Sequence, residues 1–304
     1  MSFFLKTASV LAVTCVSSVW AWGPAGHSIV AIVAEQRLTP EVRARVSHLL
    51  LDGRFTMAQI SSCPDVLRGA ERVPPKPEDE YCLKIAPVPS GSGPWHYIDI
   101  PIPKPQRPLE SYCPDGNCVT ARIKMFRDVL RNSNDDAKRR EALMYLVHFM
   151  GDIHQPLHCA ERQCDQGGNL EHVTVTLHSG ERPDRRLHAA WDIDFVDKLM
   201  EDAKITDPEA YATLLANSVQ PKQADAWKGA SVDEIAWEGW ELAKKHAYDA
   251  IPDLDYCDPD VKAQAPVATY LGSGYEKEAA KIAHEQLMKA GVRLANLLNE
   301  NLTR

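Results

Sequence analysis

Two stretches of this chain present imidazole and carboxylate at helical spacing, a combination suited to metal-assisted hydrolysis. In His148-Phe-Met-Gly-Asp152 the two polar side chains stand one above the other on a helix face at about 3.6 residues per turn, while Leu146, Phe149, Met150 and Ile153 give the helix apolar surface to bury. His188-Ala-Ala-Trp-Asp192 repeats the spacing. His158 lies between them, just after Pro156, which lacks an N–H and biases its predecessor away from helix. His158 is therefore expected to leave the helix and point at a different centre. Imidazole and carboxylate are the ligands of hydrolytic zinc sites that keep a position open for water. One H-x-x-x-D is weak evidence, since such pairs are often only salt bridges. Two on buried helices, with a histidine between, point to more than one ion.

The elements that must position these groups are mostly helices. Apolar periodicity predicts helices over 26–36, 40–51, 117–131, 136–154, 187–200, 208–217, 232–250 and 274–299, with Thr39 as N-cap and Pro40 at the first helical position of the second. Val173-Thr-Val-Thr-Leu177 before Ser179-Gly180 reads as one strand of a short hairpin. Residues 61–116 hold many of the 21 prolines and read as extended loop. Two further candidates, Asp65 and His96, fall in that loop. His48, His154, His172, His178, His246 and His284 read as polar surface or capping residues.

Residues 1–21 read as a secretory signal, with Lys6 before an apolar run and small residues at Val19-Trp-Ala21; the run is shorter than the ~20 residues a membrane span needs. Cleavage after Ala21 leaves one domain over 22–304, secreted or periplasmic, with Trp22 first and His27 close behind. A free α-amino group titrates near pH ~8 and can lose its proton to a metal. Loss of Lys6, the only charged residue of the leader, takes the formal net charge from −8 to −9. An acidic chain without a basic run is a poor general binder of polyanions, so an anionic substrate needs a local positive centre. Of the cysteines left after cleavage, Cys113 with Cys118 and Cys159 with Cys164 each bracket a short loop and are expected to pair; Cys63, Cys82 and Cys257 hold at most one further bridge. No CxxC competes as a zinc site.

Trp22-Gly…Gly26-His27, Asp65, His96-Tyr-Ile-Asp99, His148-Phe-Met-Gly-Asp152…Gln155-Pro-Leu-His158, Gly167-Gly-Asn169 and Leu187-His-Ala-Ala-Trp-Asp192 occur in one order along the chain. In these motifs the chain resembles the S1/P1 family of zinc-dependent nucleases, from Trp22 to Arg293-Leu-Ala-Asn296. The resemblance implies a mainly α, single-domain helical fold of the zinc phospholipase C / P1 nuclease type, with long loops and a short β-hairpin. It implies three zinc ions: one on Asp65, His96, His148 and Asp152; a neighbour on the Trp22 amine and carbonyl with His27, sharing Asp152; and a third on His158, His188 and Asp192. Three carboxylates neutralise half the charge of three divalent ions, and the surplus would draw a phosphodiester.

From the same resemblance, Asp65 orients the attacking water, which zinc acidifies towards pH ~7. Tyr97 stacks on a base and Asp99 bonds its edge, favouring single-stranded DNA and RNA, with 5′-phosphorylated products and 3′-phosphate removal from mononucleotides. Gln166 stands where some relatives have an apolar wall of the base site, and Asn169 has a mixed role, in a turn and at substrate. The Cys113, Cys118 pair matches a short disulfide loop of the family, whereas Cys257 keeps its place without its expected partner. The enzyme is expected to be a monomer without stable membrane association. The alternatives are a phospholipase C-like zinc phosphoesterase, against which Asp192, Tyr97 and Asp99 speak, and a secreted zinc-binding protein without activity.

Overall fold

The computed structural model describes residues 22–103, 105 and 108–302; the expected leader, 1–21, lies outside them. Pro24 supplies the fixed φ of a first helical turn, and the helix Pro24–Glu35 then buries Ile29, Val30, Ala31 and Val33. A helix buried on all sides belongs at the centre of a domain. This one packs against Gly272–Asn301, Pro208–Ser218 and Asp136–Asp152. The C-terminal helix comes close to it at Gly291, where a Cβ would come within 2.4 Å of Val33 Cγ1.

The helix Asp136–Asp152 begins polar, with Asp135 capping the N–H groups of Ala137 and Lys138, and is buried at every residue from Ala142 onward. It pairs with Val119–Asn132, where Phe126 stacks on Tyr145 at 4.5 Å. The second helix, Pro40–Leu49, starts as its sequence requires: Thr39 accepts from Val42 N and Pro40 follows. His172–Leu177 and Gly180–Arg186 form the expected hairpin, joined in parallel by Thr269–Tyr270. Among the described residues no helix is long and apolar enough to cross a membrane.

Several expectations need correction. The proline-rich stretch is not all loop: Cys63–Ala70 is a helix, because Pro64 falls in its first turn, where a missing N–H costs nothing. Pro221–Trp227 is a further short helix. The predicted helix at 187–200 is interrupted by a π turn, Ala190–Asp194, and Val232–Leu242 ends in another, Ala243–Ala247.

Cys159 and Cys164 do not pair. Cys164 bonds Cys257, Cys63 bonds Cys82, Cys113 bonds Cys118 as expected, and Cys159 is a buried free thiol. The reason is direction. Cys159 ends a buried 3₁₀ turn and faces Gly239, whose Cβ would lie 2.9 Å from its Sγ, whereas Cys164 is exposed and left-handed (φ 62), turned out of the core.

Candidate metal centre

His148 and Asp152 stand on one face of their helix as the spacing demands, His148 Nε2 lying 3.3 Å from Asp152 Oδ2. The helix Cys63–Ala70 brings Asp65 to the same place, with Oδ2 3.6 Å from His148 Nε2. His96, at the end of a 3₁₀ turn, presents Nδ1 at 3.0 Å from Asp152 Oδ2 and from His148 Nε2. From the other side His27 stacks on His148 at 3.9 Å and sets Nε2 at 3.4 Å from Asp152 Oδ1. Asp152 thus faces two neighbouring groups, His27 with His148 and Asp65 with His96 and His148.

The helix ends at Asp152, before Pro156, and from the 3₁₀ turn Pro156–Cys159 beyond it His158 meets His188, Nε2 to Nε2, at 3.0 Å. Asp192 lies 3.8 Å from His158 Nε2 and 3.5 Å from His188 Nε2. Each of the three groups has its ligand atoms within 4.8 Å of one another, and all its members are buried.

Backbone carbonyls fix the tautomers. Ser61 O, His96 O and Gly167 O accept from the Nδ1–H of His148, His158 and His188 at 2.7, 2.8 and 2.7 Å. A carbonyl can only accept, so each Nδ1 carries the proton and each Nε2 turns a lone pair into the cluster. The Nε2 lone pairs of His158 and His188 then confront each other at close range. Among the described residues Asp65 Oδ2 and Asp152 Oδ1 are buried and accept no hydrogen bond. Facing lone pairs and unmet carboxylate oxygens are costly in a dry interior unless a cation lies among them, so the donor set fits divalent metal.

Burial sets the proton chemistry. It pushes the Asp65, Asp152 and Asp192 carboxyls upward, against Arg68 for the first two and chiefly Gln155 for the last. Burial also pushes His148 down to about 3 and His188 to about 4, and lowers His96 and His158, so the imidazoles are neutral and ready to ligate.

Trp22 is fully buried and its carbonyl accepts from His27 N at 3.2 Å. Its backbone N–H bonds the Asp192 carboxylate, as a peptide nitrogen must, having no lone pair to offer. Of the substrate candidates, Tyr97 is 36% exposed, so it is not a core residue. Burial, then Glu161 and Asp165, push the Asp99 carboxyl up to about 7. Gln166 is exposed with φ 57, and Asn169 makes the turn, its Nδ2 donating to Gln166 O at 2.8 Å.

Arg68 carries no expectation from the sequence, yet its Nη2 lies 2.9 Å from Asp65 Oδ1 and its side chain is 22% exposed. The signal was present as an i, i+3 pair, hidden because 63–70 read as loop. His154 is not a surface residue: it is fully buried, donates from Nδ1 to Met150 O and accepts from Arg293 at 2.9 Å. Both its nitrogens are occupied, so it offers no ligand.

Residues 22–303 match the family model described as S1/P1 Nuclease. Endonuclease 3 of Arabidopsis thaliana is 28% identical over 96% of this chain and 92% of its own length. Nuclease P1 of Penicillium citrinum is 28% identical over 92% and 97%, and nuclease S1 of Aspergillus oryzae 25% identical over 92% and 91%.

Proposed function

We propose, from the premise that the chain belongs to the S1/P1 nuclease family, that its form beginning at Trp22 is a zinc-dependent phosphodiesterase of the cell exterior or periplasm. It cuts single-stranded DNA and RNA to 5′-phosphorylated nucleotides and removes 3′ phosphates from mononucleotides. The observation that carries this reading is the convergence of three buried His/Asp groups. Asp65, His96, His148 and Asp152 would hold one ion; His27 and the freed Trp22 terminus, sharing Asp152, a second; His158, His188 and Asp192 a third. Zinc held there supplies Lewis acidity towards phosphoryl and departing 3′ oxygens and acidifies water towards pH ~7.

The chain's own residues do the rest. Arg68 engages Asp65 Oδ1, leaving Oδ2 to accept a hydrogen bond from the attacking water and aim it. The same guanidinium, part exposed, offers positive charge to the phosphoryl oxygens as they become more negative. Tyr97 presents a ring face to an unpaired base, a contact worth ~1–3 kcal/mol that tolerates any base. Asp99, near half protonation at neutral pH, can donate to or accept from the base edge. Gln166 and Asn169 complete the substrate-binding residues. The three disulfides among the described residues suit an oxidising compartment.

The test uses chain trimmed to Trp22 and loaded with zinc, assayed for nucleotide release from denatured and duplex DNA beside phosphocholine release from lipid. EDTA should abolish the first activity and zinc restore it. Equal cutting of duplex would refute the single-strand preference, and phosphocholine release alone would make the enzyme a phospholipase.

A further inference from the structure

Asp194 is fully buried, sits two residues past Asp192 and has no part in the chemistry above. Its carboxylate accepts from Arg182 Nη1 at 2.5 Å and Arg185 Nε at 2.7 Å, two charge-assisted bonds from the hairpin strand Gly180–Arg186. Residues three apart on a regular strand face opposite ways. Here Val173 pairs with Arg185 and Val175 with Arg182, so a β-bulge inserts one extra residue between the arginines. Asp184 within it takes φ 55, and the bulge brings both guanidiniums to one side.

Asp194 lies in the π turn Ala190–Asp194 together with Asp192. Side chains two apart on a helical turn leave it on nearly opposite sides. Asp192 therefore points to His158 and His188 while Asp194 points to the hairpin, and a rotation of the turn moves both. On a further flank Gly23 packs against Ile193, a Cβ there lying 3.1 Å from Ile193 Cγ1.

We infer that Asp194, gripped by Arg182 and Arg185, is a positioning residue that sets the rotation of the π turn and thereby aims Asp192 at the His158, His188 centre. The inference rests on the three-cation reading above. Its test is zinc stoichiometry and affinity, measured by elemental analysis after equilibration in graded chelator buffers. The wild type should hold three ions. Asp194→Asn, and the double variant R182Q/R185Q at part-exposed positions, should keep two with unchanged affinity and hold the third 10–100-fold more weakly, the usual cost of losing an outer-shell partner. R182Q/R185K should recover part of the loss. Asp197→Asn removes the other partner of Arg182 and should change nothing.

If Asp194→Asn fails to fold, the double variant decides. Three ions held at wild-type affinity in the variants would overturn the inference alone, as would equal weakening of all three. Fewer than three ions in the wild type would overturn the three-cation reading and the inference with it.

Discussion

Gly151→Ala should separate cation binding from stability. A Cβ at this position would stand 2.7 Å from His27 Nδ1 and 2.9 Å from Cε1, so the ring must retreat by about 0.7 Å to reach ordinary contact. Retreat is opposed by His148, stacked on the ring at 3.9 Å. Metal sites tolerate ligand displacements of only about 0.2 Å. The group formed by His27, His148 and Asp152 should therefore bind zinc at least ~10–100-fold more weakly, a loss like that from disturbing a partner that orients a ligand. Folding of the metal-free protein should change far less. Overpacking costs about 1–3 kcal/mol, but replacing glycine inside a helix returns about 1 kcal/mol.

The assay is zinc competition with a chromophoric chelator, beside denaturant unfolding in EDTA. Weaker binding at one site with metal-free stability within about 2 kcal/mol of wild type is the expected pair of results. Wild-type affinity in Gly151→Ala would refute the geometry. A collapse of stability would mean that the ring has no room to move and the helix gives way instead.

Asp99→Asn should stabilise the protein at pH 8 by about 2–4 kcal/mol and have no such effect at pH 4. The folded carboxyl is raised to about 7, so its penalty appears as pH rises from the unfolded value through 7, and unfolding curves at the two pH values check this. Glu238 is held down to about 2 despite its burial, through bonds to Lys289 and Gln286 and the charge of Arg293. Its contribution of about 2–3 kcal/mol should be complete above the unfolded value and vanish as pH falls through 2, so Glu238→Gln should destabilise at pH 7 and not near pH 2, read in EDTA by denaturant titration. Cys257→Ser should lower stability by up to about 4–5 kcal/mol, since Cys164–Cys257 closes a long loop. Cys159 should react with a thiol reagent only after unfolding, as a mass-spectrometric time course would show.

The sequence expressed this site most clearly where one helix sets two side chains. His148 and Asp152 four residues apart, and His158 beyond the helix end, follow from local geometry, and the structure agrees, although the helix stops at Asp152, ahead of Pro156. The helix bearing Asp65 is masked because proline density suggests loop, although Pro64 occupies the one turn that tolerates it. Arg68 was lost with that helix. The cysteine pairing depends on which thiol faces the core, a property of packing that spacing does not record.

His154 went astray for a related reason. Its residue type suggests the surface, but the helix is buried on all sides from Ala142, so a polar group just beyond it enters the core and must find a partner, here Arg293. The π turn at Ala190–Asp194 left no mark in the sequence, since His188 and Asp192 keep the i, i+4 spacing of an ordinary helix. What sequence conveys is the set of donor atoms. What it withholds is the scaffolding that aims them: carbonyls of Ser61, His96 and Gly167 on three imidazoles, and a bulged strand behind one carboxylate. These supports come from segments far apart in the chain and use backbone atoms every residue has, so no residue type betrays them, although the directions of the ligands depend on them.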